Sequence, residues 1–380
     1  MPKNNLPFSY IEISKGKLVA NINQFRKIIN HRTKIAAVVK SNAYGHVDLE
    51  VIKILAPHTD YFQINSLEEL KRLRSVTKKP TLLFGYISKN ELAKAISLGC
   101  ILSVFDLQHA LLINEYALKI GKKQKVHIAI DAHLGREGVM PNNLETFLKE
   151  IQKMKYLAID GVYAHFANLE DTNDFSHAQK QVDTYVQVLS VFKMYKLKNI
   201  HTHISATSGV LAYKKCKGLN SIVRIGIGLY GMFPSKEFKK EWQKKIILKP
   251  VLRFVTHIAQ VKKLPAYHTI GYGLSYITKE PTTIAVIPMG YSDGIVRNLS
   301  NKGEVLIGGK HAPILGRVSM NMFVVNISHI RDIIEGEEVI ILGTQKNKKI
   351  TAEEIAEKSG TINYEVATRI SPFLPKFIVK

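Results

Sequence analysis

Short apolar runs recur along the first part of the chain, at 35–39, 61–64, 81–85, 101–105, 126–130, 161–165, 200–204 and 222–226. Each is bounded by turn residues or charges and has the length of a buried strand. Between them the period lengthens to that of a helix. Leu18, Ile22, Phe25 and Ile29 fall on one face at helical spacing. Ser66 with Glu69, and Ser88 with Glu91, have the spacing of capping boxes that open helices. Eight strands alternating with helices predict an eight-stranded parallel α/β (TIM) barrel. An open doubly wound sheet is the other arrangement of such a pattern, but its glycine-rich turn after the first strand is absent.

The rhythm changes after about residue 240. The stretch 235–245 is polar and reads as a linker or surface excursion. Beyond it, 251–261, 283–288, 304–307, 312–327 and 338–342 read as strands, with turn signals at Asn301-Lys302-Gly303 and Gly308-Gly309. One helix is expected at 351–358, opened by Thr351 with Glu354 as a capping box. The chain therefore divides into a barrel over 14–240 and a mostly β domain over 241–380. A strand at 8–13 is expected to pack with the second.

Composition changes this picture little. An apolar content of 46% and a charged content of 22% are those of a globular protein too long, at 380 residues, for one core. No apolar stretch has the length of a membrane span, and the first ten residues lack the apolar core of a secretory signal. Cys100 and Cys216 are the only cysteines, which fits a reducing cytoplasm. The net charge of +23 raises nucleic-acid or acidic-membrane binding. The lysines are spread, however, with small clusters at Lys122-Lys123, Lys214-Lys215 and 239–245 and no basic stripe interleaved with aromatics. The reading is no nucleic acid and no membrane, with a positive field that favours anionic metabolites.

Candidate chemistry lies where such barrels carry it, at the carboxyl ends of the strands. Lys40 ends the first strand, with Tyr44 just beyond. A lysine there is suited to Schiff-base chemistry and to anchoring pyridoxal phosphate (PLP), although it also reads as an ordinary strand cap. Asp131 ends the fifth strand before His133 and Arg136, and His165 ends the sixth. Thr207 and Ser208 follow the seventh; Arg224, Gly226 and Gly228 lie on and after the eighth. Small hydroxyls beside glycines suit a phosphate. His201-x-His203 points two imidazoles to one face, as a metal site would, but no carboxylate-rich ligand set joins them, so no metal is expected.

At these residues the chain resembles alanine racemase. Residues 38–46, Val-Val-Lys-Ser-Asn-Ala-Tyr-Gly-His, resemble its PLP-lysine segment, and 223–231, Val-Arg-Ile-Gly-Ile-Gly-Leu-Tyr-Gly, its pyridine and phosphate segment. Gly271-Tyr272-Gly273 resembles the catalytic-tyrosine segment, and 288–294 and 316–320 match further signatures. The resemblance implies that Lys40 holds PLP and serves as one base, with Tyr272 from a partner subunit as the other. It implies that Tyr44, Thr207, Gly226 and Ile227 hold the phosphate, that Arg224 meets the pyridine nitrogen, and that Arg136 and the Met320 backbone orient a substrate carboxylate. A phenol ordinarily titrates near about 10 and is a poor base at neutral pH; His165 and Arg224 are the groups expected to tune it. The implied protein is a cytoplasmic homodimeric racemase that interconverts L- and D-alanine and supplies D-alanine for peptidoglycan. A racemase of serine, lysine or a broader amino-acid range is the nearest alternative. A related PLP decarboxylase would share Lys40 but is expected to carry a catalytic cysteine segment in the second domain, and a PLP carrier would lack that domain.

Several positions depart from the family pattern. Ala129 stands where many members carry a lysine, often carbamylated, that braces the arginine equivalent to Arg136. A chloride, a water or another side chain must replace it, and a halide is the favoured expectation. Ala206-Thr207, Asn321 and Pro372 replace the usual Asn-Ser pair, aspartate and tyrosine.

Overall fold

The structure is a computed structural model that describes residues 6–170, 172–213 and 218–380. Cys216, the Lys214-Lys215 pair and the first five residues of the N-terminal stretch lie outside the described residues.

The eight apolar runs form the strands β2 (Lys34–Val38), β3 (Tyr61–Ile64), β4 (Thr81–Leu83), β5 (Ile101–Val104), β6 (Gln124–Ala129), β7 (Leu157–Tyr163), β8 (His201–His203) and β9 (Ile222–Ile225); β1 (Tyr10–Ser14) precedes them. They pair in parallel in the order β8-β7-β6-β5-β4-β3-β2-β9. Across the β8–β9 seam the Ser221 N–H donates to the Thr202 carbonyl (2.8 Å) and the Arg224 N–H to the Ser205 carbonyl (3.1 Å). The sheet is thus a nearly closed barrel. Helices cover its outside. The first, Lys15–Ile28, buries Leu18, Ile22 and Phe25 as the pattern predicts.

Two capping expectations part company. The Glu91 carboxylate accepts both the Ser88 N–H (3.0 Å) and the Ser88 hydroxyl (2.6 Å), closing the cap from its own side. Ser66 accepts the Glu69 N–H (3.2 Å), but the Glu69 carboxylate goes elsewhere, to the N–H groups of Asn65 (2.7 Å) and Ser41 (2.6 Å). A buried carboxylate needs strong donors, and the turn beyond Lys40 supplies one.

The second sheet has ten strands. To β1 it adds β10 (Leu252–His257), β11 (Gln260–Leu264), β12 (Thr282–Ile287), β13 (Glu304–Ile307), β14 (Lys310–Leu315), β15 (Phe323–Asn326), β16 (Glu338–Gln345), β17 (Lys348–Ile350) and β18 (Lys376–Val379). Their order is β11-β12-β15-β14-β13-β16-β10-β1-β18, with β17 on β16. The N-terminal β1 runs antiparallel to β10 and parallel to β18. Two runs read as single strands are each divided. Residues 251–261 split into β10 and β11, which are not neighbours in the sheet, and 312–327 breaks at Gly316 (φ 73°) into β14 and β15. The polar 235–245 stretch contains a helix, Lys236–Trp242, whose Ser235 cap accepts the Phe238 N–H (3.1 Å) while Phe238 is buried. Helix Ala352–Ser359 opens with the expected Thr351–Glu354 capping box. A further helix, Asn363–Thr368, is pinned to the barrel where the Asn363 amide donates to the Phe233 carbonyl (2.7 Å).

Among the described residues no helix is long and apolar enough to cross a membrane, and no group of three or more His, Cys, Asp or Glu could hold a metal ion.

Candidate active site

Strand alternation sends every second side chain inward. At the carboxyl rim those positions are Val38 and Lys40, Gln63 and Asn65, Phe84, Tyr163 and His165, and Arg224 and Gly226. Together they line one cleft of about 530 Å³.

Lys40 starts a turn of unusual hand. Ser41, Asn42, Ala43 and Tyr44 all have φ between 53° and 56°, and Gly45 follows at 81°. Left-handed winding costs roughly 1–2 kcal/mol per non-glycine residue, so neighbours must fix it. The Glu69 carboxylate takes the Ser41 N–H; the Asn42 side chain takes the Asp48 N–H (3.0 Å); Arg72 holds Asp48 (2.6 Å). The turn aims Lys40 into the cleft. Burial, then the nearby Arg136 cation, lowers its pKa, against a smaller opposing effect of Glu69. A lowered ammonium pKa makes the free amine, a nucleophile and base, more accessible.

Beside it, at the end of the neighbouring strand β9, lies a candidate anion cradle. The Gly226 N–H donates to Thr207 Oγ1 (3.2 Å). A Cβ on Gly226 would stand 2.5 Å from the Tyr44 hydroxyl, so only glycine fits. Tyr44 rests on Tyr230 with ring centroids 5.0 Å apart. Ile227 starts a 3-10 turn, Ile227–Tyr230, beside them. On Gly228 a Cβ would meet Phe25 Cζ at 2.4 Å and Thr207 Cγ2 at 3.0 Å, so this glycine serves barrel–helix packing chiefly and also lies against the cradle's hydroxyl residue.

Arg224 is buried. Its NH2 donates to the Ala164 carbonyl (2.9 Å) and His165 Nδ1 (3.1 Å), and its NH1 to His203 Nδ1 (2.6 Å) and the His203 carbonyl (3.1 Å). Burial pulls its pKa down to about 10, which leaves it a cation. Burial, and then Arg224, push His165 down to about 3. His165 is therefore neutral, accepts at Nδ1 and carries its proton on Nε2. Its Nε2–H is thus a neutral donor, not a charge.

Arg136 has a brace. Its Nε and NH2 meet the Glu137 carboxylate at 2.5 and 3.0 Å, the arrangement that chiefly raises its pKa. Ala129 is buried and has no amine. Among the expected replacements, the structure shows a side chain: Glu137, the next residue along, supplies an anion at Arg136. Asp131 holds its own loop, accepting the Leu134 and Gly135 N–H groups, and His133 bonds to Thr184. His203 is bound to Arg224, while His201 meets the Tyr61 hydroxyl (3.1 Å).

Tyr272 and Met320 are not among the residues that line the cleft. Tyr272 is 73% exposed in a 3-10 turn, Tyr272–Leu274, and Met320 is 55% exposed with its carbonyl accepting from Ser292. Asn321 bonds to the same Ser292 hydroxyl (2.9 Å). Pro372 also lies outside the cleft; the tyrosine near the cradle is Tyr364, whose hydroxyl meets Glu170 at 3.0 Å. Sequence reasoning missed Tyr163, Glu137, Glu170 and Tyr364. Strand alternation two residues before His165 was the available signal for Tyr163.

The family model for the alanine racemase N-terminal domain matches residues 13–234, and that for the alanine racemase C-terminal domain matches 251–378. The chain belongs to the alanine racemase family. Alanine racemase 2 of Caldanaerobacter subterraneus subsp. tengcongensis is 34% identical over 372 residues, covering 97% of this chain and 94% of that protein. The alanine racemase structure of Clostridium difficile 630 superposes with a TM-score of 0.91 at 31% identity, over 99% of this chain and 97% of that one. That of Bartonella henselae, with covalently bound pyridoxal phosphate, gives 0.86 at 25% identity, over 98% and 100%. Alanine racemases are PLP-dependent isomerases, and PLP is the cofactor of this one. The residues present fit the group. A strand-end amine, a cradle that a Cβ would fill and a buried arginine line one cleft.

Proposed function

We propose that this alanine racemase interconverts L- and D-alanine with two bases, Lys40 and Tyr272 of the partner subunit, and so supplies D-alanine for peptidoglycan in the cytoplasm. The observation that carries the reading is the separation of the two groups. Lys40 lies in the cleft, whereas Tyr272 stands exposed on the second domain, outside it. A head-to-tail homodimer brings the two surfaces together. The same reading divides the chain into a barrel over 14–240 and a second domain over 241–380.

When bound, the cofactor would supply an electron sink that makes the substrate's α C–H acidic. Inversion then needs a proton acceptor on one face and a donor on the other. Lys40 Nζ serves one face, and its lowered pKa suits both gaining and losing a proton. The Tyr272 hydroxyl serves the other. Neutral His165 offers its Nε2–H to that phenol's oxygen and steadies it when deprotonated. Tyr44, Thr207 and the N–H groups of Gly226 and Ile227 hold the phosphate. Arg224 faces the ring nitrogen as a donor that keeps its proton. With Nε and NH2 of Arg136 taken by Glu137, NH1 is left for the substrate carboxylate, and the Met320 backbone completes its seat.

The test uses purified protein with PLP and a panel of L-amino acids, followed by chiral analysis. D-alanine should be the main product. D-serine or D-lysine in excess would move the substrate assignment, and carbon dioxide release would indicate decarboxylation. Mixing Lys40→Ala with Tyr272→Phe under subunit exchange should restore activity, since each mixed dimer holds one intact site. Demonstrated exchange without recovery would place both bases within one chain.

A further inference from the structure

Beneath the cleft, the barrel interior is polar where such a core is ordinarily apolar. Arg224 NH1 donates to His203 Nδ1 (2.6 Å); His203 Nε2 meets His127 Nδ1 (2.8 Å); His127 Nε2 meets Asp160 Oδ2 (3.4 Å). Asp160 Oδ1 pairs with Lys125 at 2.9 Å. His127 and His203 are fully buried, and the Asp160 side chain is 19% exposed at the far end.

The sequence of donors is fixed by chemistry. An arginine only donates, so His203 Nδ1 must accept and its single proton sits on Nε2. That proton goes to His127 Nδ1, which places the His127 proton on Nε2, facing a carboxylate that only accepts. Burial holds both rings below the ordinary histidine range, so each carries one proton. The chain of bonds therefore runs one way.

Two backbone features build it. The β6–β7 ladder pairs Val126 with Ile159 and His127 with Gly161, so Asp160 is the extra residue of a bulge. Bulges re-aim side chains, and this one turns a carboxylate toward a buried imidazole. The next residue is Gly161, where a Cβ would lie 2.6 Å from His127 Nε2. Above, the His203 ring stacks on Tyr163 (centroids 5.3 Å, planes 14° apart), which fixes its plane.

We infer that Asp160, acting through His127 and His203, is a positioning residue: it anchors the far end of the imidazole pair in the tautomers that Arg224 dictates, and so holds the Arg224 side chain in place toward the cofactor ring. The inference rests on the proposed place of Arg224 beside the pyridine nitrogen. Without the carboxylate, Arg224 still fixes His203, but His127 is held from one side only. Its other tautomer, which breaks the bond to His203 because Nδ1–H would face Nε2–H, is then no longer opposed by an acceptor at Nε2, and the support of Arg224 loosens.

The first measurement needs no cofactor. Long-range ¹⁵N–¹H correlation of labelled histidine in the cofactor-free protein, assigned with His127→Gln and His203→Gln, should find both rings neutral with the proton on Nε2. Asp160→Ala should mix the His127 tautomers, whereas Lys125→Ala should not. With PLP added, Asp160→Ala should shift the visible absorption band and weaken PLP binding by about tenfold, the low end for removing an outer partner of an orienting group. Lys125→Ala should leave both unchanged. A purely structural carboxylate would lower thermal stability without moving tautomers or band. A proton on Nδ1 of either ring, a doubly protonated ring, or unchanged tautomers and band in Asp160→Ala would overturn the inference. If Asp160→Ala fails to fold, Asp160→Ser, too short to reach His127, carries the same two readouts. Arg224→Gln separates the two readings: an unmoved band there removes Arg224 from the cofactor ring whatever the tautomers show.

Discussion

Two glycines two residues apart do different work, and single methyl groups should separate them. On Gly226 a Cβ would meet the Tyr44 hydroxyl at 2.5 Å, inside the anion cradle; on Gly228 it would meet Phe25 at 2.4 Å, in the core. Gly226→Ala is expected to weaken PLP binding by about 100-fold, as small misplacements in a positioned site do, with little change in the cofactor-free melting temperature. Gly228→Ala is expected to cost about 1–3 kcal/mol of stability through overpacking, with a smaller loss of PLP affinity than Gly226→Ala, since its Cβ touches the cradle only at Thr207 Cγ2. Equal effects of both on PLP titration would contradict the assignment. Glu137 allows a second test at this scale. Glu137→Gln keeps the shape and removes the anion that braces Arg136. The expected result is a rise of about tenfold in KM for alanine with kcat little changed, the pattern of lost uniform binding. Because Ala129 offers no amine and Glu137 supplies the charge, wild-type turnover should be indifferent to bicarbonate and to chloride at constant ionic strength. Bicarbonate activation would show that another group braces Arg136.

The element that most controls the site is the left-handed turn after β2. Gly45 closes it against helix Asn363–Thr368, where a Cβ would lie 2.2 Å from the Ala367 carbonyl, and its φ of 81° suits glycine. Gly45→Ala should therefore destabilise by more than about 1 kcal/mol and release PLP, since strain and collision add. Ser41→Gly should do the reverse. It relieves roughly 1–2 kcal/mol of left-handed strain against about 0.4–1 kcal/mol of added unfolded-state entropy. Urea midpoints of the two cofactor-free variants check both signs; a stabilised Gly45→Ala would refute the account. The hand of this turn was not legible in Ser41, Asn42 and Gly45, which read only as turn residues, because it is imposed by contacts of Glu69, Asn42 and Arg72 acting together. The barrel was legible because its strands are buried on both faces and read as continuous apolar runs. Arg224, His165 and Lys40 followed from the strand-end rule. What period and spacing could not show was tertiary: the second partner of Glu69, the bulge at Asp160, the helix that carries Tyr364, and an arginine braced by its own neighbour.

For the whole molecule, the buried imidazoles make folding sensitive to acid. Burial holds His46 down at about 4 and His165 at about 3, and it lowers His127 and His203. An unfolded histidine titrates near about 6.5. Below that pH the unfolded chain binds protons that the folded chain refuses, so stability falls as pH drops from 6.5 toward the folded values. From pH 6.5 to 5, fully buried His46 alone should remove about 2 kcal/mol. His165 should remove less, because the cleft leaves it partly open. Against a typical total of about 5–15 kcal/mol, the sum is large. Asp160 is held low by His127 and Lys125, so its contribution is present above the ordinary carboxylate pKa and is lost only at still lower pH. The net charge of +23 would also favour unfolding as it grows, but that effect is screened by salt, whereas the desolvation of buried rings is not. The measurement is the urea midpoint of cofactor-free protein between pH 8 and pH 5, at low salt and at high salt. A steep fall below pH 6.5 that survives high salt is expected, and His46→Asn should reduce its slope by about one proton. A flat midpoint down to pH 5, or a fall that salt abolishes, would mean that the interior histidines take up protons without unfolding the barrel.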